Sequence, residues 1–197
     1  MTNCVPPVPP PRTSEPTMNY YGAQNMAASW RTVRNNTIQI AEEIPADKYE
    51  FRATADTMSV AEILAHMATN TLWGVKVNIA EKKNAVTMQE FGEFAGIAGA
   101  AAKALDNKEA IVASLKSNGE ELARGLESLS DESLGQDVTL PGGSKTRFEM
   151  LIGLKEHEMH HRGQLMIMQR LLGIVPHLTR ARQERMAAMR AGAAARK

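Results

Sequence analysis

The stretch TRFEMLIGLKEHEMHHRGQLMIMQRLLG, residues 146–173, decides the fold of this 197-residue chain. It begins with the capping box Thr146-Arg-Phe-Glu149, in which a hydroxyl and a carboxylate satisfy free backbone amides at a helix start. Gly173 marks its end. Between these points, residues at steps of three and four share one face: Met150, Leu154, His157, His161, Gln164, Met168 and Leu171. The pattern predicts a long helix D that buries two histidines among its apolar residues.

Working outward, the same periodicity predicts helix A over residues 18–43, helix B over 59–82 and helix C over 106–129. Helix B begins at a second capping box, Ser59-Val-Ala-Glu62. Residues 83–105 are rich in glycine and are interpreted as a crossover, long enough to return along a helix of about 36 Å and leave helices B and C parallel. Aromatic residues make up only 5% of the chain, which disfavours strands. The prediction is an all-α four-helix bundle.

The two ends of the chain differ from this core in composition. Residues 1–17 combine many prolines with polar residues and are predicted to be a disordered leader, so that Met18 is a candidate start. Residues 18–178 form the predicted bundle, and residues 179–197 form a basic tail rich in alanine and arginine. We expect this tail to be solvated.

Charge and hydropathy narrow the classes of partner. The formal net charge is +1, from which we expect no nucleic-acid partner. No stretch approaches the roughly 18 apolar residues of a membrane span, and no secretory signal is evident, so we expect no membrane partner and a cytoplasmic location. The lone Cys4 offers no disulfide framework.

Histidines are the chemistry-bearing feature of the predicted interior. His157 and His161 lie four residues apart, so they project side by side from helix D, and His66 lies on the inward face of helix B. Three neutral imidazoles would give a divalent metal three nitrogen ligands and leave a fourth position open. The sequence therefore predicts one metal ion on His66, His157 and His161. His160 points away from this face, and His177 is expected on the surface.

Other interpretations of the same residues stay open. The histidines can be core residues satisfied by hydrogen bonds alone. The string His157-Glu158-Met-His-His161 matches the H-E-x-x-H signature of zinc proteases, but no strand pattern or further ligand accompanies it. Glu158 with His161 also gives E-x-x-H, which di-iron bundles need twice. Glu62 is a candidate to orient His66, although its capping role already explains it.

The chain resembles the DinB/YfiT-like metal-binding bundles over about residues 19–178. The likeness rests on three segments: Phe51-Arg-Ala-Thr, Ser59-Val-Ala-Glu-Ile-Leu-Ala-His66 and Glu156-His157-Glu-Met-His-His161-Arg-Gly-Gln164-Leu. The resemblance implies an up-down-down-up bundle with a long crossover between the second and third helices, a homodimer, and nickel or zinc on the same three histidines. Similar proteins include thiol-dependent isomerases and S-transferases, which implies a low-molecular-weight thiol and a small electrophilic substrate as partners.

These observations lead to three hypotheses of function. The first is a metal-dependent transferase or hydrolase that uses the open position on the metal, with Asn70, Trp73 and Gln164 as pocket walls because they share the inward stripes. The second is a metal-binding structural or stress-response protein without turnover, in which the ion ties helix B to helix D. The third is a metal-free bundle that acts through its Met-rich faces or basic tail.

Overall fold

A computed structural model describes residues 21–194 of the chain. The predicted leader, residues 1–17, and the candidate start Met18 lie outside the described residues, as does Cys4. The seven α-helices and two strands of the described part are α1 (Ala23–Glu43), α2 (Val60–Val75), α3 (Met88–Lys103), α4 (Lys108–Glu127), α5 (Asp131–Leu134), β1 (Asp137–Leu140), β2 (Gly143–Thr146), α6 (Arg147–Leu171) and α7 (His177–Ala194). Short 3₁₀ (Ala46–Lys48) and π (Lys76–Ala80) turns complete the helical segments.

The bundle consists of α1, α2, α4 and α6, in the predicted up-down-down-up order. Arg31 of α1 contacts Glu120 and Glu127 of α4, while Lys108 at the start of α4 reaches the end of α1, so these two helices are antiparallel. Contacts of Asn118 with Ala68 and of Gly125 with Ile79 advance together along α4 and the α2 segment, which makes them parallel. The all-α prediction is confirmed.

The helix α6 completes this arrangement because it runs parallel to α1 and antiparallel to α2. Along α1 and α6, Arg34 meets Glu158 and the later residue Glu43 meets Gln169. Along α2 and α6, by contrast, His66 meets His161 whereas the later residue Gly74 meets Leu154. The histidine stripe of α6 therefore faces α2, as the sequence predicts.

Both predicted capping boxes form at the helix starts. The Ser59 hydroxyl accepts a hydrogen bond from the Glu62 amide at 3.2 Å, and the Thr146 hydroxyl accepts one from the Glu149 amide at 3.1 Å. Each glutamate also accepts a bond from the amide of its capping partner. These local bonds set the start points of α2 and α6, and thereby the heights at which their histidines lie.

Three segments differ from the sequence-based expectation. The glycine-rich crossover contains the full helix α3, whose Gly92, Gly96 and Gly99 face open space, so their missing side chains leave no void. Residues between α5 and α6, expected to be a plain link, form the hairpin β1–β2. The basic tail forms α7, which is exposed from residue 181 onward. The boundary of the bundle at residue 178 stays a prediction.

A polar layer divides the apolar interior of the bundle into two parts. One apolar cluster, around Ile40, Leu64 and Leu165, fills one end, and another, around Trp30 and Leu126, fills the other. Between them lies the guanidinium of Arg34, with 2% of the residue exposed. A buried arginine must give its donors to acceptors, because an unpaired buried charge is very costly.

Arg34 bonds to the other three helices of the bundle through its two terminal nitrogens, while its Nε makes only an ion-pair contact of 3.0 Å with Oε1 of Glu158. Its Nη2 donates to Oε2 of Glu158 in α6 at 3.0 Å and to the carbonyl oxygen of Met67 in α2 at 3.1 Å. Its Nη1 donates to the carbonyl oxygen of Leu115 in α4 at 3.3 Å. Its stem packs so closely on Gly119 that a Cβ there would lie 2.6 Å from the Arg34 Cγ. One side chain thus connects all four helices.

The charges of Arg34 and Glu158 depend on each other. Burial raises the pKa of Glu158, and the guanidinium of Arg34 opposes that shift. Burial likewise lowers the pKa of Arg34, and Glu158 opposes it. Since both side chains are about 3% exposed, either charge alone would lie in a low-dielectric interior without compensation.

We expect Arg34→Met to lower the free energy of unfolding by about 3–5 kcal/mol, because Glu158 is left buried and unpaired. The double variant Arg34→Met/Glu158→Leu should be clearly more stable than Arg34→Met, since it removes both charges from the interior. Urea denaturation followed by circular dichroism measures both values. The matched control is Arg31→Met on the same helix, where the lost ion pairs are solvent-exposed and the effect should be much smaller. Additive losses in the double variant would contradict the buried-pair interpretation.

Candidate metal centre

The antiparallel packing of α2 and α6 brings the three predicted histidines together. The Nε2 atom of His157 lies 2.9 Å from Nε2 of His66 and 3.1 Å from Nε2 of His161. All three candidate ligand atoms lie within 4.8 Å of one another. Nitrogens bound to one tetrahedral metal at about 2.0–2.1 Å lie roughly 3.3 Å apart, so small side-chain shifts fit this cluster to a single ion.

Hydrogen bonds to the outer ring nitrogens orient two of these imidazoles. Nδ1 of His161 lies 2.7 Å from Oε1 of Gln164, an oxygen that can only accept, so the ring proton sits on Nδ1 and the Nε2 lone pair is free. Nδ1 of His157 lies 3.1 Å from the Asn70 carboxamide. The Asn70 nitrogen faces His157, and a half-turn of this amide presents its oxygen instead, which gives His157 the same metal-ready tautomer.

Electrostatics keep the histidine cluster neutral at neutral pH. Burial, followed by the neighbouring rings of His161 and His66, lowers the pKa of His157 to about 4. Burial also lowers the pKa of His66 and of His161, and the hydrogen bond with Gln164 opposes the shift at His161. Neutral imidazoles keep the lone pairs that a metal needs. The donor set, its spacing and its protonation therefore fit a transition-metal ion.

The cluster is accessible from one side of the bundle. His161 is buried, with 7% of the residue exposed, whereas His66 and His157 are half-buried. Asn70 is half-buried and Gln164 is exposed, so the histidines are open to solvent along the line where α2 and α6 meet, which we call the α2–α6 groove. A site that only ties helices together does not need such an approach, but a substrate does.

The four other predicted site residues, Glu62, Asn70, Trp73 and Gln164, differ in whether they contact the three histidines. Asn70 and Gln164 contact the histidines directly. Trp73 packs against Phe91 of α3, with ring centroids 6.4 Å apart, whereas the ring contacts of the three histidines are with one another and with His160. The carboxylate of Glu62 is held by Arg52, through two bonds of 2.7 Å, and by the Ser59 amide. Glu62 therefore has its capping role and no bond to His66.

The other two histidines of the chain have separate surroundings. His160 is exposed and is not one of the three clustered ligands, although its ring packs edge-on against His161 with centroids 5.0 Å apart and its Nε2 lies 3.3 Å from the Gln164 carboxamide nitrogen. His177 was expected on the surface, and this expectation is wrong: the residue is 7% exposed and its Nε2 lies 3.1 Å from Oδ1 of Asn36. The helix α7 folds the start of the tail back onto α1, a long-range contact that no local pattern reveals.

The position of Glu158 decides against two other interpretations of the motif. Its carboxylate points into the bundle and pairs with Arg34, so it does not lie at the histidines as the general base of a zinc protease would. The sheet of the described residues is limited to the hairpin β1–β2. A di-iron centre would need additional inward glutamates, and the metal-ligand group found among the described residues is His66, His157 and His161.

Arg34 is the functional neighbour that sequence reasoning missed. It bonds to the carbonyl of Met67, next to His66, and to the carboxylate of Glu158, next to His157. The sequence does contain a sign that Arg34 is buried, because it follows Trp30 by four residues and so lies on the inward stripe of α1. An arginine on an apolar stripe requires a buried acceptor, although the sequence does not say which one.

No helix within residues 21–194 combines the length and the apolar character that crossing a bilayer requires.

The chain is similar in sequence and in fold to several known proteins. An uncharacterized protein, YjoA of Bacillus subtilis, is 27% identical over 143 residues, which cover 71% of this chain and 84% of that protein. The crystal structure of the DinB-like YjoA aligns with a TM-score of 0.59 and 23% identity, over 75% of this chain and 91% of that one. A DinB-like protein of Bacillus cereus aligns with a TM-score of 0.62 and 15% identity, over 80% and 97% of the two chains.

One of these comparisons corrects the exclusion of nucleic acid. The colibactin self-resistance protein ClbS, crystallised in complex with double-stranded DNA, has the same fold, with a TM-score of 0.56, 18% identity and coverage of 75% of this chain and 95% of that one. The expectation of no nucleic-acid partner is therefore wrong as an inference from net charge. A sum of +1 over the chain says nothing of local charge, and phosphates respond to local arginines and lysines.

The family assignment rests on a longer match. The model of the DinB family matches residues 17–193, which include all four bundle helices and the three clustered histidines. This chain belongs to the DinB family.

Proposed function

We propose that the chain is a metal-dependent enzyme, a thiol S-transferase or a hydrolase, with one nickel or zinc ion on His66, His157 and His161. The observation that carries the proposal is the convergence of three neutral imidazole nitrogens at the floor of a groove that opens to solvent. The choice between nickel and zinc is not decided by geometry, because both accept imidazole ligands.

The residues around the histidines have distinct roles in this proposal. Gln164 holds the His161 ring with its Nε2 lone pair toward the cluster, and Asn70 would do the same for His157 after a half-turn of its carboxamide that brings the oxygen to Nδ1. Arg34 and Glu158 fix the relative heights of α1, α2 and α6 from inside. When bound, the metal would supply a Lewis acid with an open position that lowers the pKa of a thiol or water. The groove then admits the electrophilic substrate from solvent.

We expect His161→Ala to lose the metal and any turnover, because two imidazoles on a solvent-facing site bind a divalent ion far more weakly than three. His160→Ala is the matched control on the same helix and should keep its metal, since His160 contacts the His161 ring but offers no nitrogen to the three-histidine group. Elemental analysis of untagged protein measures the metal content of both variants and of the parent. A His161→Ala protein with full metal content would refute the ligand assignment, and a metal-free parent would support the third hypothesis of a metal-free bundle.

The alternative is a non-catalytic metal-binding protein with a structural or stress-response role. In that case the ion links α2 to α6, and its removal costs stability without any reaction to lose. The partial exposure of His66 and His157 favours the enzyme over this alternative.

Chelation separates these two functions. Treatment with EDTA should lower the melting temperature only modestly if the site is catalytic, because the Arg34–Glu158 pair and two apolar clusters hold the bundle without it. A large drop in melting temperature, together with no product from a panel of thiols and electrophiles, would instead support the structural role. Differential scanning calorimetry and a thiol-consumption assay give the two readouts.

Nucleic-acid binding is a second candidate function, supported by the charge of α7. Arg182, Arg185 and Arg190 lie on one half of this exposed helix, and no ion pair holds them among residues 21–194. The single acidic residue of α7, Glu184, lies on the opposite side. Unpaired arginines on one helix face are suited to phosphate contacts, and the DNA complex of ClbS shows that one protein of this fold binds a duplex.

If α7 contacts phosphates, the triple variant Arg182→Gln/Arg185→Gln/Arg190→Gln should bind a fluorescent DNA duplex more weakly. Each lost contact should also reduce the slope of log affinity against log salt concentration by about 0.9, or roughly 3 in total. Arg124→Gln removes an exposed arginine of α4 and serves as the control. Fluorescence anisotropy between low and physiological salt gives the slopes, and equal slopes for parent and triple variant would rule this function out.

A further inference from the structure

A cavity of about 400 Å³ lies beside the α2–α6 groove and has Gln164 in its wall. Its walls come from the segment that precedes α2, from the first turn of α2 and from the last part of α6. The wall residues that matter here are Asp56, Met58, Ile63, Gln164, Ile167 and Met168. Ile63 lies one turn before His66 and Gln164 lies one turn after His161, so the cavity and the metal centre are neighbours along both helices.

The walls of this cavity are largely apolar and partly open to water. Ile167 is 60% exposed and Met58 is 38% exposed, whereas Ile63 and Met168 are buried behind them. Concave apolar surface of this volume, with a few polar groups, is typical of sites for small molecules. Covering Ile167 and Met58 with the hydrocarbon part of a ligand would remove apolar surface from water, which favours binding.

Charge restricts the kind of ligand that fits this cavity. Asp56 carries the single ionisable side chain of its lining. The nearby Arg52 is compensated by its two-bond pair with Glu62, and it also donates to the carbonyl of Thr57 at 2.7 Å. Hydrogen bonds from Thr54 and the backbone lower the pKa of Asp56, so it is negative at neutral pH. The cavity therefore favours a cationic group over an anionic one.

Gln164 connects the cavity to the chemistry. It lines the cavity and its Oε1 lies 2.7 Å from Nδ1 of His161. A ligand whose hydrocarbon chain lies against Ile167 and Met58 therefore has one end at the carboxamide that orients a metal ligand.

From this arrangement we propose that the cavity is the subsite for the non-reacting part of the substrate, an alkyl chain that carries an amine, while its reacting end lies at the three histidines. The proposal rests on the proposed function for the destination of the reacting end. The cavity itself does not depend on the metal.

Simple amines test the subsite without any reaction. Isothermal titration calorimetry of the full chain as purified should show that hexylamine binds roughly tenfold more tightly than butylamine, because two more methylenes are buried. Hexanoate should bind more weakly than hexylamine, and Asp56→Asn should narrow that difference. Equal affinity for the two amines, or tighter binding of hexanoate, would overturn the proposal.

Two exposed residues of α6 give a matched pair of variants. Ile167→Asn should weaken hexylamine binding several-fold, whereas Leu171→Asn, one turn further and 59% exposed but outside the cavity lining, should leave it unchanged. Met58→Ser gives a second wall variant in case Ile167→Asn perturbs the helix. Unchanged affinity in both wall variants would contradict the assignment of the cavity.

A bifunctional probe connects the subsite to the metal centre. 6-Aminohexane-1-thiol should bind more tightly than hexylamine to metal-loaded protein, and removal of the metal with EDTA should abolish this gain while keeping the hexylamine affinity. Metal content measured on the same samples separates the two proposals. Metal-containing protein that does not bind hexylamine counts against the cavity alone, and metal-free protein that binds it counts against the metal centre alone.

Discussion

The guanidinium of Arg34 is the constraint on which the rest of the bundle depends. It is buried between two apolar clusters, and it finds acceptors on α2, α4 and α6. Apolar contacts alone would tolerate a slide of one helix against another, since methyl groups have no directional preference. Hydrogen bonds from one planar group to three helices would be broken by such a slide, so Arg34 fixes the relative heights of all four helices.

The same contacts explain why the histidines meet. Met67 and Glu158, two acceptors of Arg34, are the immediate chain neighbours of His66 and His157. Successive residues of a helix point about 100° apart, so holding one of them toward the interior turns the next toward the α2–α6 groove. The residues of the H-E-x-x-H string therefore point in two directions: Glu158 faces α1 inside the bundle, while His157 and His161 face α2. As a result, α6 has polar side chains on two of its faces.

Features that depend on interactions between residues close in sequence could be predicted, whereas contacts between residues far apart in sequence could not. The helix starts at Ser59 and Thr146 depend on hydrogen bonds between residues three apart, and the proximity of His157 and His161 depends on one helical turn. Both features could therefore be predicted from the sequence. The bundle order followed from the resemblance and from the length of the crossover. The pairing of Arg34 with Glu158 spans 124 residues, and the burial of His177 against Asn36 spans 141, and neither leaves a local pattern. Tertiary packing alone decides such contacts.

The residues that the fold holds in place at the candidate metal centre differ from the residues that would select a substrate. The ligand set lies on two regular helices and depends on few residues, so many sequences of this fold can keep it while the walls around it change. The segment before α2 supplies Asp56 and Met58, and it is an irregular connection whose side chains are not bound by helix packing. Differences in substrate within such a family are therefore expected in this connection and in the last turns of α6, where Gln164 and Ile167 lie, more than in the histidines themselves. For the proposed enzyme, the shape and charge of that wall would select the substrate.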